Sequence, residues 1–380
     1  MINIILKILS TLFYMIWDIY WGLAFGFILS SLVRALASTE KISSKLGKDT
    51  VGSTALATFF GGVSSSCSYA AASMARTLLI KGATWSNAVS FMVASTNLVF
   101  EIFIVIVSLL GWSFFGGEVI GGLFFIVVSA ILINRFFPPK VKEEAKEKIH
   151  QNEHIGHDHN HEHQPAAKKS CCHSMPEKET VVKPGIVARL KTASGHFYMD
   201  VTMVGKDIGI GLVVASILMV LVPDSFWQGL FLTGHSSMPH FLVLSWNALV
   251  GIFIAVIAFV CSVGNIVMAA VLWQGGISFG GVIAFILSDL VTIPMLMVFK
   301  SYYGGKTMWY LLAFLIISIF LTSLFLDYSF AALHWLPKPH SAGMQMAAQH
   351  FEWNYNTWLN LIFIPVSLWY FFLGRKSMKM

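Results

Sequence analysis

The sequence predicts an all-α polytopic membrane protein, with two inverted repeats of transmembrane helices whose broken or re-entrant segments meet at the bilayer midplane. Three observations support this fold class. Of the 380 residues, 56% are hydrophobic and 12% are charged. Long apolar segments follow one another along the chain, and two cysteine–serine elements recur 194 residues apart. A soluble domain averages about 25% charged residues, so the composition excludes that class.

The apolar segments give the number and length of the predicted helices. A bilayer core about 30 Å thick needs about 20 apolar residues for one helical crossing. Segments 50–80 and 240–273 are about ten residues too long for one crossing and have small and polar residues near their middles. The complete set is 8–34, 50–80, 86–110, 114–136, 205–223, 240–273, 277–299, 308–326 and 355–374.

A change of composition divides the chain. Residues 138–204 begin with two prolines, are dense in charge and have little apolar surface to bury, so they are predicted to form a flexible, His/Cys-rich cytoplasmic linker. The linker separates a first transmembrane half, 1–137, from a second half, 205–326. Residues 327–380 are predicted to add an extracytoplasmic loop and a final transmembrane helix.

The two halves resemble each other. A shift of 194 residues aligns Cys67 with Cys261 in matching "CS" dipeptides and gives seven identities in the 25 positions from 67 to 91. With a one-residue gap, "STNLV" at 95–99 matches "SDLV" at 288–291, which aligns Asn97 with Asp289. We interpret the pattern as an internal duplication.

The distribution of basic residues orients the repeats. If each overlong segment is a re-entrant hairpin, most Lys and Arg fall on one side together with the linker, and this side is cytoplasmic by the positive-inside rule. The loops 111–118, 224–239 and 274–280 then lie outside and contain no Lys or Arg. The two hairpins enter from opposite sides. If both segments instead crossed fully, the linker would lie outside, with Arg135, Lys140 and Lys142 on the wrong face.

Small and polar residues inside the first overlong segment indicate a binding site. Residues 61–75 read "GGVSSSCSYAAASMA" where leucine and valine are expected. Non-helical backbone at membrane depth must line protein or a water-filled cavity, and broken helices of inverted repeats form substrate sites at the midplane. The alternative is that the small residues only allow close helix packing. The predicted substrate-binding residues are Cys67, Cys261, Ser66, Ser68, Ser262, Asn265, Asn97, Met74 and Met268.

Two acids within the apolar segments are candidates for proton coupling. Asp289 and Glu101 are costly in hydrocarbon unless a cavity or a partner receives them. For Glu101, the alternative is a carboxylate near a helix end that extends to the interface. For the methionines Met74 and Met268, whose thioethers suit a thiophilic ion, the alternative is apolar filling of the core.

The linker contains a second set of candidate ligands. Imidazoles and thiolates close together in a flexible chain suit zinc and copper, and their spacing does not match a closed structural zinc site. We therefore expect loose capture of zinc or copper and no tightly bound cofactor, the alternative being a spacer indifferent to metal. The candidate ligands are His154, His157, His159, His161, His163, Cys171, Cys172 and His173.

These elements resemble the ArsP/YraQ-type predicted permease family. The resemblance rests on "SSSCS" and "VCS" at matching positions of two halves, each followed by a Met-Ala pair and a Gly, with a charged linker between. It covers residues 15–326, and the family includes organoarsenical efflux permeases and a branch associated with copper and zinc efflux. The His-rich tract followed by "CCHS" is similar to the copper/zinc branch. Residues beyond Asp327 depart from the family pattern.

The sequence therefore predicts an inner-membrane efflux permease for a thiophilic heavy metal, copper or zinc, driven by the proton or the substrate gradient. A trivalent organoarsenical is the alternative substrate, since two cysteines suit it as well. A non-transporting metal-binding subunit or sensor stays open as a different class of function. A membrane-embedded enzyme is not expected, because most histidines lie outside the spans. The predicted partners are the bilayer and the metal or metalloid, with no nucleic acid, and the sequence leaves the oligomeric state open.

Overall fold

The computed structural model describes residues 2–36, 46–65, 68–156, 224–232, 239–257, 262–337 and 355–378, with scattered positions between 191 and 221. Every regular element within these residues is helical. The helices are α1 (Ile2–Leu36), α2 (Val51–Ser64), α3 (Ser68–Ile80), α4 (Trp85–Asn97), α5 (Phe100–Leu109), α6 (Trp112–Phe136), α7 (Pro139–Gly156), α8 (Asp224–Phe231), α9 (His240–Ile257), α10 (Ser262–Gln274), α11 (Phe279–Leu287), a 3-10 turn (Ser288–Val291), α12 (Ile293–Tyr303), α13 (Gly305–Ala332) and α14 (Tyr355–Met378).

Several helices are long and apolar enough to cross a membrane. Among the described residues five stretches meet this criterion, and α4 with α5, bent by 44° at the break between them, makes a sixth. The prediction of an all-helical polytopic membrane protein is therefore confirmed. The five stretches are Trp112–Phe136, His240–Ile257, Phe279–Tyr303, Gly305–Ala332 and Thr357–Lys376.

The first overlong segment forms a broken hairpin, α2–α3. Helix α2 ends at Ser64, and Ser65 has a left-handed backbone with φ of 37°. The Thr84 N–H, beyond the end of α3, donates to the Leu46 carbonyl at 3.1 Å, and Asn87 Nδ2 donates to the same carbonyl at 2.8 Å. Because Leu46 precedes α2 and Thr84 follows α3, the chain between them returns to the end of the bundle where it began.

The second overlong segment contains two described helices, α9 and α10, and residues 258–261 between them lie outside the described part of the chain. Asn247 of α9 donates from Nδ2 to the Phe231 carbonyl of α8 at 3.3 Å. Gly275, directly after α10, lies against the Trp227 ring of the same α8, which would be 2.9 Å from a Cβ at that glycine. Helix α8 therefore contacts both the first half of α9 and the corner after α10, so this segment too begins and ends at one end of the bundle.

The two hairpins return to opposite ends of the bundle. The Trp85 ring, next to the α3–α4 corner, contacts Phe137 at 5.3 Å and Tyr303 at 5.2 Å between centroids. At the other end of α6, Phe114 contacts Trp273, next to the α10–α11 corner, at 5.1 Å. From Phe114 to Phe137 an α-helix rises about 35 Å, roughly one bilayer core. The corners that follow the two hairpins are therefore separated by the length of α6.

The element pattern repeats at the offset found in the sequence. Thr84 caps α4 by accepting from the Asn87 N–H, and Ser278, 194 positions later, caps α11 by accepting from the Gly281 N–H. Gly82 and Gly276 end the preceding helices with φ of 92° and 94°, a region that favours glycine. The bounds of α3 and α10 differ by 194 at both ends. The inverted orientation of the two copies stays a prediction.

Part of the predicted linker is a packed helix. Residues 139–156 form α7, which buries Val141, Ala145 and Ile149 at helical spacing against the bundle. Lys306 at the start of α13 pairs with Glu144 at 3.0 Å, an exposed contact that adds little stability. The prediction of a flexible linker from residue 138 was wrong for this stretch, because three apolar residues spaced four apart suffice to dock one face of an otherwise charged helix.

Helix α13 extends past the predicted end of the second half at residue 326. It continues to Ala332, and the buried Asp327 carboxylate binds the start of α11. Its Oδ1 accepts from the Gly280 N–H at 2.6 Å and its Oδ2 accepts from the Ser278 hydroxyl at 2.9 Å. A carboxylate at a helix N-terminus satisfies unpaired N–H groups and is favoured by the helix dipole.

We expect Asp327→Ala to lower the free energy of unfolding by about 2–4 kcal/mol, because it leaves a buried N–H and a hydroxyl without acceptors. The melting temperature of the purified protein in detergent measures the effect. Asp327→Asn, which keeps one acceptor oxygen, should fall between Asp327→Ala and the wild type. Tyr328→Phe, at an exposed neighbour on the same helix, is the control. An Asp327→Ala protein that melts with this control would contradict the capping role.

Candidate functional site

A hydrogen bond connects the two halves of the protein at two helix interruptions, the α2–α3 break and the 3-10 turn between α11 and α12. Ser68, the first residue of α3, donates from its hydroxyl to Oδ2 of Asp289 in the 3-10 turn between α11 and α12. Both residues are buried, with 7% and 3% of their surfaces exposed. A carboxylate in an apolar span is costly without such a donor. The break of the first hairpin is therefore tied to the break in the second half.

The second predicted acid lies at the same break of the first hairpin. Glu101, in the first turn of α5, accepts at Oε1 from the Ser65 hydroxyl, and the residue is 6% exposed. This burial disfavours the alternative interpretation, in which the carboxylate extends to the interface. Ser65 and Ser68, on either side of residues 66 and 67, thus each donate to a buried carboxylate.

Two asparagines add amide groups to this region. Asn97, the last residue of α4, donates to the Val93 carbonyl at 3.2 Å and to Thr96 Oγ1 at 3.0 Å. The Oδ1 atom of Asn97 has no hydrogen-bond partner among the described residues. Asn265 lies in the first turn of α10, and its Oδ1 and Nδ2 also have no partner among these residues. Both residues are 1% exposed. Buried amides normally find partners, so these atoms are available to a ligand.

Several predicted site residues lie outside the described part of the chain. Ser66, Cys67 and Cys261 do so, and Ser262 begins α10 without a described side chain. The sequence places Cys67 between Ser66 and Ser68. The two cysteines therefore stay predictions, while Ser68, Asn97, Asn265, Asp289 and Glu101 are observed as buried polar residues at or next to helix breaks.

The two predicted methionines pack as core residues. Met268 is 6% exposed and belongs to the main apolar cluster of the bundle. Met74 packs against a smaller cluster that contains Leu78 and Phe91. These surroundings favour the alternative interpretation, that both side chains fill the core.

The predicted metal ligands of the linker are also mostly outside the described residues. His157, His159, His161, His163, Cys171, Cys172 and His173 lie in that part, and His154 is in α7 without a described side chain. Among the residues that the structure describes, no group of three His, Cys, Asp or Glu could hold a metal ion. Metal capture by the linker stays a prediction.

One buried acid is absent from the predicted site residues. Glu118 falls where the predicted outer loop 111–118 overlaps the predicted apolar segment 114–136, and α6 begins at Trp112 and buries this side chain completely. The signal is present in the sequence "GGEVIGG", a single charge flanked by glycines directly before an apolar run. Hydropathy alone does not distinguish a charge that ends a span from one buried within it, so the prediction of a loop here was wrong.

Basic side chains collect at one end of the bundle. This end, marked by the contacts of Trp85, holds Arg76, Lys81, Arg135, Lys142, Lys300 and Lys306. The opposite end includes the described stretches 110–116, 273–280 and 326–337, and these stretches contain no Lys or Arg. The buried carboxylates of Asp289, Glu101 and Glu118 lie between these ends, so the bundle is positive at one end and acidic within.

A cavity of about 640 Å³ opens at the end without basic residues. It lies between the α5–α6 corner and the end of α13, and its lining includes Trp112, Phe330, His334 and Trp335. None of the predicted substrate-binding residues lines it. The cavity and the hydrogen-bonded break at Ser68 are therefore separate features of the molecule.

Comparison with known proteins agrees with these features. The ArsP_1 family, described as predicted permeases, matches residues 4–328. A relative named as a predicted permease, Rv2963 of Mycobacterium tuberculosis (strain ATCC 25618 / H37Rv), is 36% identical over 332 residues, which cover 85% of this chain and 76% of the relative. No solved structure matches the chain. The chain, a multi-pass membrane protein with buried polar residues at its helix breaks, belongs to the ArsP_1 family of predicted permeases.

Proposed function

We propose that this permease exports a thiophilic heavy metal, copper or zinc, across the inner membrane, using the proton gradient or the gradient of the substrate itself. The main support is the hydrogen bond between Ser68 and Asp289, because it joins the break beside Cys67 to a break in the other half. A carrier needs polar groups from both halves at one depth so that a single site can be reached alternately from the two sides.

The inverted arrangement of the repeats belongs to this proposal. Helices α6 and α13 occupy equivalent places in the repeat and run antiparallel: Phe137 contacts Phe314 near one end, and Phe330 lies beside Gly116 near the other. The hairpins α2–α3 and α9–α10 return to opposite ends of the bundle. This agrees with two oppositely oriented copies around a shared site.

Each candidate residue has a role in the proposed cycle. The linker imidazoles and thiolates collect the ion at the basic end, which is cytoplasmic by the positive-inside rule. Cys67 and Cys261 bind it between the halves, assisted by neighbouring hydroxyls and the amides of Asn97 and Asn265, while Asp289 or Glu101 takes up a proton. Thiolates favour soft ions such as copper(I) and also bind zinc. A trivalent organoarsenical is the alternative substrate, because two thiols suit it equally.

Transport into everted membrane vesicles tests the substrate and the cysteines together. We expect uptake of zinc or copper(I) by the wild type, and a loss of about tenfold or more in Cys67→Ser and Cys261→Ser, since a hydroxyl is a much weaker ligand for soft ions. A Cys171→Ser/Cys172→Ser protein is the matched control: it removes two capture thiols outside the spans and should keep the maximal transport rate. Methylarsenite is measured in parallel, and uptake of this compound alone would select the alternative.

A shortened linker distinguishes a carrier from a sensor. Deletion of residues 157–175 removes most of the predicted ligands and leaves α7, whose Ile149 packs on the bundle. A carrier keeps its maximal transport rate with a weaker apparent affinity for the metal, because capture is only the first step. Complete loss of function with unchanged folding would instead support a metal sensor.

A further inference from the structure

Glu118 is a buried acid that the proposed cycle does not yet use. The residue has no exposed surface, and neither carboxylate oxygen has a hydrogen-bond partner among the described residues. It lies one helical turn from Phe114 at the end without basic residues, and one turn from Gly122, next to the α4–α5 break. This differs from Asp289 and Glu101, which both accept from serine hydroxyls.

The helices around Glu118 are closely packed. A Cβ at Gly117 would be 2.5 Å from the Phe279 ring of α11, one at Gly121 would be 2.7 Å from Leu326 of α13, and one at Gly122 would be 2.6 Å from Leu98 at the α4–α5 break. The neighbours of Glu118 on α6 are thus in direct contact with three other elements. This packing encloses the Glu118 side chain, which has no exposed surface, between the described helices.

The elements packed against α6 offer no positive charge at this depth. Helices α4, α10 and α11 have no titratable residue, and α5 has only Glu101. Helix α13 contributes Lys306, Tyr310, Asp327 and Tyr328; Lys306 pairs with Glu144 at the basic end, and Asp327 caps α11. His334, directly after α13, lines the open cavity together with Gly116, but its side chain is exposed and its Nδ1 lies 3.1 Å from the Ala331 carbonyl. Arg135 of α6 itself is 17 residues away, about 25 Å along the helix. An ionised Glu118 would be a buried charge without a partner among these groups, which proteins avoid by protonation.

We propose that Glu118 binds a proton in the conformation described here and releases it when the bundle opens, so that it couples proton movement to transport. The proton adds to one carboxylate oxygen and leaves to water, with no other bond changed. Because Glu118 is closer to the end without basic residues, it takes up the proton from that side. If the permease exports its substrate from the basic side, each substrate leaves in exchange for a proton that enters from the opposite side. This inference rests on the proposed function.

Infrared spectra of the purified full-length protein test protonation without any substrate. We expect the carbonyl stretch of a protonated carboxyl at neutral pH to lose intensity in Glu118→Gln and to persist in Glu118→Asp. Glu144→Gln, at an exposed glutamate of α7, is the control for the substitution itself. Superimposable spectra of Glu118→Gln and the wild type in the carbonyl region would overturn the proposal.

Transport in proteoliposomes tests coupling. With zinc as the probe, and copper(I) and methylarsenite in parallel, Glu118→Gln should lose accumulation driven by a pH gradient and keep exchange of labelled for unlabelled substrate, which needs no net proton transfer. Accumulation at the wild-type level, or loss of exchange as well, would overturn coupling by Glu118. A wild type that moves none of the three probes contradicts the proposed substrates, whereas the infrared result still decides whether Glu118 is protonated.

Discussion

Asp289→Ala is expected to reduce transport by about 10- to 100-fold, measured as the initial rate of uptake into vesicles at equal protein content. The substitution removes the buried acceptor of the Ser68 hydroxyl. A hydrogen bond to a charged group contributes about 1.5–3 kcal/mol, and each 1.4 kcal/mol corresponds to about a factor of ten. Because this bond joins the breaks of the two halves, its loss disturbs both sides of the proposed site.

Two further variants separate the chemical role of Asp289 from its structural role. Asp289→Asn keeps an oxygen that accepts from Ser68 but cannot ionise. If Asp289 binds the coupling proton, this variant should lose gradient-driven transport while its melting temperature stays near the wild-type value. Ser68→Ala removes the donor, and in a double-mutant cycle with Asp289→Ala the effects should be less than additive. Wild-type rates in both Asp289→Asn and Asp289→Ala would contradict any role in transport.

Much of this architecture could be predicted because it depends on local composition. The break after Ser64 occurs where small and polar residues interrupt a long apolar segment. The offset of 194 residues appears again in the helix bounds and in the serine and threonine caps, since a duplicated sequence repeats its own turn chemistry. Asn97 and Asp289, aligned in the sequence, both lie at or next to an interruption between helices.

The features that could not be predicted depend on tertiary contacts. Helix α7 is docked by three apolar residues that composition does not distinguish from a charged linker. Asp327 lies where hydropathy predicts the end of a span, whereas its carboxylate caps a helix 47 residues earlier in the chain. Glu118 lies where a predicted loop and a predicted span overlap, because a single acid lowers hydropathy wherever its side chain points. In each case the partner element, and not the local sequence, determines the outcome.

The hairpin α2–α3 carries Ser65 and Ser68, so its packing determines where the site lies. Gly61 packs directly against α4: a Cβ at this position would be 2.4 Å from the Phe91 carbonyl oxygen and 2.8 Å from Ala94 Cβ. The obstructing oxygen belongs to the backbone and cannot turn away as a side chain does. A larger residue therefore has to push the two helices apart.

We expect Gly61→Leu to give little correctly folded protein and no transport, because overpacking costs typically about 1–3 kcal/mol and here also displaces the residues of the proposed site. The measurements are the monodisperse fraction in size-exclusion chromatography, the melting temperature in detergent and the uptake rate. Gly52→Leu is the matched control in the same helix, since nothing lies within 4 Å of a Cβ at Gly52 and leucine has the higher helix propensity. If both variants fold and transport equally well, then α2 does not depend on close contact with α4, and the position of Ser65 and Ser68 must be fixed by the hydrogen bonds to Glu101 and Asp289 alone.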